Sequence, residues 1–198
     1  MSEAQRCPIC GERLGERRCP ALGALICSTC CGTHRRKSVA CPPSCPFLVA
    51  AERHRRERRA RELARLWEGF EGVLKRRGMA ELYPYLEGLR MVLAQLVHRY
   101  PAEDLEVAAA LKYLAQRLSP IELVEPYVPK LGRPLEKVFL ELVREGKADP
   151  DALQEACRGL AAFIEEFTSE EEPDRFVTAL LGTYPPEEPE KGGLIIRP

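Results

Sequence analysis

Eight of the nine cysteines in this chain of 198 residues fall between residues 7 and 45. Within that segment, CPIC at residues 7–10 and CSTC at residues 27–30 each place two thiols three positions apart. A C-x2-C turn can direct both of its thiolates to one ion, and two such turns supply the four soft ligands of tetrahedral Zn²⁺. The spacing therefore predicts a metal site formed by Cys7, Cys10, Cys27 and Cys30.

Four further thiols in the same segment are enough for a second four-cysteine site, formed by Cys19, Cys31, Cys41 and Cys45. Because Cys19 lies between the halves of the first site, the two sets interleave along the chain. His34 is an alternative ligand to Cys31, since both lie near the C-terminal side of the CSTC turn. A single zinc ion with spare thiols is a further alternative. We expect two structural zinc ions, with Cys31 as the ligand.

Three other uses of the cysteines compete with zinc binding. Disulfides are disfavoured because the N-terminus shows no apolar secretory signal, which predicts a cytoplasmic location where thiols stay reduced. A redox-active C-x2-C motif normally lies at a βα junction, and the sequence indicates none here. An iron–sulfur cluster also takes four cysteines, and the spacing leaves that alternative open.

The N-terminal segment also has a structural reason to bind metal. Residues 1–46 contain few large apolar side chains, and so small a core cannot offset the conformational entropy lost on folding. A structural zinc ion contributes an apparent binding free energy of about 10–16 kcal/mol, which becomes folding free energy. The ninth cysteine, Cys157, lies in a helical pattern far along the chain and is expected to be a core thiol.

The cysteine pattern resembles known zinc fingers. The order CPIC…RCPALGALICSTC…H…C…C within residues 7–48 resembles the HIT-type and MYND-type fingers and, more loosely, the B-box. The segment CCGTHRRKSVACPPSCPFL also resembles the CCGTKR segment of uncharacterised bacterial proteins. The resemblance implies a small module with two interleaved zinc sites, and such modules mostly serve protein–protein contacts.

A net charge of zero conceals two oppositely charged parts. Residues 1–78 carry 17 lysines and arginines against eight glutamates, whereas residues 79–198 carry 13 against 22 acidic residues. This asymmetry predicts a basic end that contacts something anionic. The candidate macromolecule-binding residues are Arg35, Arg36, Lys37, Arg53, Arg55, Arg56, Arg58 and Arg59. The alternative is a solvated arginine-rich face that is balanced by Glu–Arg pairs and by the acidic half.

Helical periodicity dominates the rest of the chain. Apolar residues recur every three or four positions from Leu63 to Leu74, which predicts a basic amphipathic helix over residues 47–78. Residues 79–182 show the same period and are expected to form an α-helical domain. Residues 183–198, rich in proline and glutamate, are expected to be a linker and C-terminal tail. The predicted fold is mostly α, with a small N-terminal zinc-binding module at residues 1–46 followed by the α-helical domain.

Several helix ends are marked in the sequence. Asp149 followed by Pro150 indicates a helix start, because aspartate caps and proline suits the first helical position. Gly146 indicates the end of the preceding helix. Ser119 and Glu122 fit a capping box around another start.

The predicted function is binding. The sequence contains no Walker loop, no Rossmann fingerprint and no H-E-x-x-H motif, and no apolar run long enough for a membrane span. We expect a zinc-binding protein that is not an enzyme and that acts as a macromolecular adaptor, with a protein partner. The alternative is nucleic-acid binding through the arginine-rich helix, to RNA rather than DNA because no recognition-helix motif is present. No membrane contact and no small-molecule substrate are expected.

Overall fold

A computed structural model describes residues 5–119 and 127–185 of the chain. That part contains seven α-helices, one short 3-10 helix and a two-stranded sheet. The mostly α fold is thereby confirmed, with a cysteine cluster that precedes the helical region. The chain divides into two compact units, Met1–Arg55 and Arg56–Pro198. The boundary lies inside a helix, beyond residue 46, where the sequence placed the end of the zinc module.

The first unit is built around a small hairpin. Strands β1 (Arg17–Cys19) and β2 (Ala24–Ile26) pair antiparallel, with Arg18 opposite Leu25. Gly23, with a φ of 63°, lies in their connection, where a left-handed backbone costs glycine little. Helix α1 (Ser28–His34) follows directly. The sequence analysis predicted neither the strands nor α1.

Thiols make up most of the core of the first unit. Its buried cluster consists of Cys7, Cys19, Ile26, Cys27, Cys30 and Val39. Two of these six side chains are aliphatic, which is too little hydrocarbon to hold a fold by burial alone. This composition agrees with the expectation that metal supplies the missing stability.

The second unit is helical throughout its described part. Helix α2 (Pro46–Arg76) enters it, and the remaining elements are a 3-10 helix at Ala80–Leu82, α3 (Tyr83–Arg99), α4 (Asp104–Arg117), α5 (Gly132–Arg144), α6 (Pro150–Phe167) and α7 (Arg175–Thr183). The most extensive packing is between α4 and α6. None of the helices in the described ranges is long and apolar enough to cross a bilayer.

Two of the predicted helix ends are confirmed. An oxygen of the Asp149 carboxylate accepts a hydrogen bond from the backbone N–H of Ala152 at 2.8 Å, which caps α6. Gly146 follows α5 with a φ of 68°. The predicted capping box at Ser119 and most of the predicted C-terminal tail extend into residues 120–126 and 186–198, outside the described residues.

Aromatic packing and one close approach fix α2 within the second unit. The ring of Trp67 lies 5.2 Å from that of Phe70 and 5.3 Å from that of Phe163, measured between centroids. At Gly182 in α7, a β-carbon would lie 2.4 Å from the carbonyl oxygen of Arg56, so only glycine allows this approach. The expected core thiol is also found here: Cys157 is fully buried, and burial raises its pKa to about 12.

Candidate metal centre

The first predicted set of cysteines comes together in the structure. The sulfur atoms of Cys7, Cys10, Cys27 and Cys30 all lie within 4.8 Å of one another. Tetrahedral zinc with Zn–S bonds of about 2.3 Å places its sulfurs about 3.8 Å apart, so the observed cluster needs little adjustment. These four residues can hold one metal ion.

Tight turns direct the four thiols inward. After the CPIC pair, the N–H of Gly11 donates to the carbonyl oxygen of Cys7 at 2.8 Å, and Gly11 has a φ of 69°. At the CSTC pair, the N–H of Cys30 donates to the Cys27 sulfur at 3.4 Å, which caps the first turn of α1. The first bond closes the turn that carries the CPIC pair, whereas the second stabilises negative charge on the Cys27 sulfur, as a thiolate ligand requires.

The thiols of this cluster differ in acidity. Burial opposes ionisation of Cys7, but hydrogen bonds from the backbone of Cys27, Cys10 and Ile9 outweigh it and lower the pKa to about 6. Burial and hydrogen bonding with the neighbouring thiols raise the pKa of Cys30 to about 12. Four thiolates this close repel one another, and a divalent cation removes that obstacle to full ionisation.

The second predicted set lines one small cavity. Cys19, Cys31, Cys41 and Cys45 surround a space of about 10 Å³, together with side chains from β1, β2 and the start of α2. That volume suits a single water or ion. The sulfur atoms of this second set are farther apart than those of the first set. Within the described ranges, the first set is the one group of three or more potential metal ligands whose ligand atoms all lie within 4.8 Å of one another.

The residues that line this cavity bear on which of Cys31 and His34 is the ligand of the second site. Cys31 lines the cavity and His34 does not. The Nδ1 atom of His34 instead lies 2.6 Å from the hydroxyl oxygen of Ser38, within hydrogen-bonding distance. Arg35 lines the cavity, and its Nη2 donates to the Cys31 sulfur at 3.8 Å. Arg35, predicted to bind a macromolecule, therefore has a contact inside the first unit.

The structure separates the other predicted basic residues into distinct environments. Arg36 is exposed and pairs with Glu52 at 2.9 Å, and Lys37 is exposed beside it. In α2, the exposed residues of the predicted set are Arg53, Arg55 and Arg58, whereas Arg56 and Arg59 are partly buried.

Arg59 in particular belongs to an internal ion-pair network. Its side chain is 14% exposed and pairs with the carboxylates of Glu62, at 2.5 Å, and Glu172. Glu62 also pairs with Arg175 of α7. This finding corrects the placement of Arg59 among the surface residues, because the sequence shows helical spacing but not the distant carboxylate.

Two exposed arginines of α2 were missed by the sequence analysis. Arg61 and Arg65 are exposed and lie on the same side of the helix as Arg58. Their spacing of three and four positions was available in the sequence. The density of arginines over residues 53–61 does not by itself show which of them lie on the face opposite Leu63 and Trp67.

No family model, curated protein or solved structure matches this chain. The similarity to HIT-type and MYND-type fingers therefore depends on the cysteine order within residues 7–48 alone.

Proposed function

We propose that the N-terminal unit is a structural zinc-binding module. The observation that carries this proposal is the convergence of the four sulfur atoms of Cys7, Cys10, Cys27 and Cys30 within 4.8 Å. Four thiolates complete a tetrahedral zinc site and leave no position for substrate or water, which is the arrangement of structural rather than catalytic zinc.

We further propose a second zinc ion bound by Cys19, Cys31, Cys41 and Cys45. The support is their shared cavity, which also contains Arg17 and Arg35. Four thiolates around Zn²⁺ carry a net negative charge, and nearby guanidinium groups offset it. The interleaved order agrees with the resemblance to HIT-type and MYND-type fingers.

Metal analysis tests both sites together. Protein purified without added metal is expected to contain about two zinc ions per chain, one for each set of four thiolates. Cys41→Ser is expected to lower the content to about one, and His34→Ala to leave it at two. A wild-type content of one zinc that Cys41→Ser does not change contradicts the second site. Iron with visible absorption contradicts zinc.

We propose that the chain acts through binding and that its zinc module contacts a protein partner as an adaptor. Three leucines of the first unit are unusually exposed: Leu14 (60%), Leu22 (47%) and Leu25 (37%). Leu22 and Leu25 lie in and beside the hairpin connection, and Gly15, next to Leu14, packs closely against Leu25. Exposed apolar side chains on a small folded module are candidates for a protein-contact surface.

Co-purification tests the adaptor role. Full-length protein is expected to retain a defined protein after nuclease treatment and a high-salt wash, since apolar contacts are insensitive to salt. The double change Leu22→Ser and Leu25→Ser is expected to reduce the recovered partner at least about tenfold, equivalent to about 1.4 kcal/mol. Leu66→Ser is a matched control, because Leu66 of α2 is 48% exposed but lies outside the first unit. Equal recovery by all three proteins contradicts the proposal.

Nucleic-acid binding is the second candidate function. The observation that favours it is the exposed basic surface of α2, on which Arg58, Arg61 and Arg65 are all exposed. Arginine side chains bind phosphate groups through paired N–H donors.

A further inference from the structure

Three arginines form a straight row on the solvent side of α2. Arg58, Arg61 and Arg65 are three and four positions apart, so a turn of about 100° per residue brings them within about 60° of one another. All three are exposed, whereas Leu63 and Trp67 on the opposite side of the helix are buried. With a rise of about 1.5 Å per residue, this arginine row is about 10 Å long.

The arginine row is not neutralised by the chain. Within residues 5–119 and 127–185, none of its three guanidinium groups makes a hydrogen bond or an ion pair. The inward-facing Arg59, one position from Arg58, pairs with Glu62 and Glu172 instead. The carboxylate of Glu62, which lies between these arginines in the sequence, is thus used by Arg59 and Arg175 rather than by the row.

The charge of the row contrasts with the rest of its unit. Residues 79–198 carry 22 acidic residues against 13 basic ones, whereas residues 56–76 of α2 carry seven basic residues against four acidic ones. Glu57 and Glu68 flank the row at its two ends and limit its length to these three arginines. A linear anion is therefore the ligand whose shape and charge match the row.

We propose that the arginine row binds the phosphate backbone of single-stranded RNA. The three side chains are about 5 and 6 Å apart along the helix axis, and a flexible strand can adjust successive phosphates to that spacing. A duplex holds its phosphates at fixed positions, so it has less freedom to adjust them to this spacing. Phosphate contacts of this kind are independent of sequence. The inference deepens the nucleic-acid candidate and does not depend on the zinc sites.

The test compares two triple variants of the full-length protein. The row variant is Arg58→Ala, Arg61→Ala and Arg65→Ala. The matched control is Arg99→Ala, Lys137→Ala and Arg144→Ala, which removes the same charge from exposed positions on α3 and α5. The probe is a fluorescein-labelled single-stranded RNA of about 20 nucleotides, followed by fluorescence anisotropy from about 50 to about 200 mM salt.

The row variant is expected to bind the RNA at least about tenfold more weakly than wild type at about 50 mM salt. Its plot of log affinity against log salt should be shallower by about 2, because each single-strand phosphate contact contributes about 0.7. The control is expected to stay within about twofold of wild type, and a DNA duplex of the same length to bind more weakly than the RNA. Thermal unfolding of both variants should match wild type, since the changed side chains are exposed.

The proposal is overturned if wild type does not bind the RNA at about 50 mM salt, or if the two variants lose affinity equally. It is also overturned if wild type binds the DNA duplex more tightly than the RNA. Tighter binding to a polyglutamate peptide than to the RNA overturns it as well and would indicate an acidic protein partner. Zinc content measured on the same samples separates this test from the proposed function. Absence of RNA binding by wild type that contains two zinc ions rejects the arginine row alone, whereas absence of zinc rejects the metal module.

Discussion

Replacing Cys7 by serine is expected to abolish the first metal site and to unfold the N-terminal unit. Cys7 is fully buried among thiols, and the core around it contains two aliphatic side chains besides cysteine. A structural zinc site contributes about 10–16 kcal/mol of apparent binding free energy, far more than so small a core can replace. Serine supplies no soft thiolate, so the remaining three ligands should hold the ion weakly.

The loss should be confined to the first unit. Metal analysis is expected to show at least one zinc ion fewer, and limited proteolysis should cut within residues 5–45. Trp67, the one tryptophan in the sequence, lies in the second unit and is buried there. Its fluorescence should therefore report an unchanged unfolding transition for the helical unit.

Cys157→Ala is the matched control for this prediction. It also removes one fully buried thiol, but from α6 of the second unit. The metal content of this variant should equal that of wild type, and its proteolysis pattern in the first unit should not change. Retention of the full metal content by Cys7→Ser would show that the four converging sulfurs do not form the site.

Reversing the charge of Arg59 is expected to destabilise the second unit by about 3 kcal/mol. A glutamate at this position removes one of the two partners of Glu62 and a partner of Glu172, and it adds a third carboxylate to a partly buried site. Breaking a buried pair by removing one partner costs about 3–5 kcal/mol. Because Glu172 is partly exposed, we expect a loss of stability at the lower end of this range. Urea unfolding followed by Trp67 fluorescence measures the change.

Arg58→Glu is the control for Arg59→Glu, since it makes the same substitution one position away on the exposed side of α2. Its unfolding free energy should stay within about 0.5 kcal/mol of wild type. Similar midpoints for the two variants would mean that the ion-pair network contributes little. This contrast separates an arginine that stabilises the fold from one available to a ligand.

Acid unfolding provides an independent signature of the same network. Burial alone would raise the pKa of Glu62, but hydrogen bonds from Arg175 and Arg59 outweigh it and lower that pKa. A carboxyl whose pKa is lowered by folding stabilises the protein above its unfolded pKa, and this stabilisation is lost as pH falls through the folded value. The unfolding free energy of wild type should therefore decrease below about pH 4. The unfolding free energy of Arg59→Glu should decrease less over the same pH range.

Local patterns in the sequence predicted much of the helical framework. The pairing of Asp149 with Pro150 marked the start of α6, and Gly146 marked the end of α5, because caps and breakers act within a few residues. The C-x2-C pairs likewise predicted the four cysteines whose sulfur atoms converge, since turn geometry brings both sulfurs of a pair to one side. Such features depend on neighbours in sequence and can be recognised without a structure.

Contacts between distant residues could not be predicted in the same way. The sequence placed Arg58 and Arg59 together in one basic surface, yet Glu172 lies 113 residues from Arg59 and reaches it through tertiary packing. Helical periodicity defines faces, but which face is covered, and by which charge, depends on elements far along the chain. The sequence by itself determined most of the helices and the four cysteines whose sulfurs converge, whereas only the tertiary structure decided the hairpin, and which arginines pair with carboxylates within the chain and which are exposed.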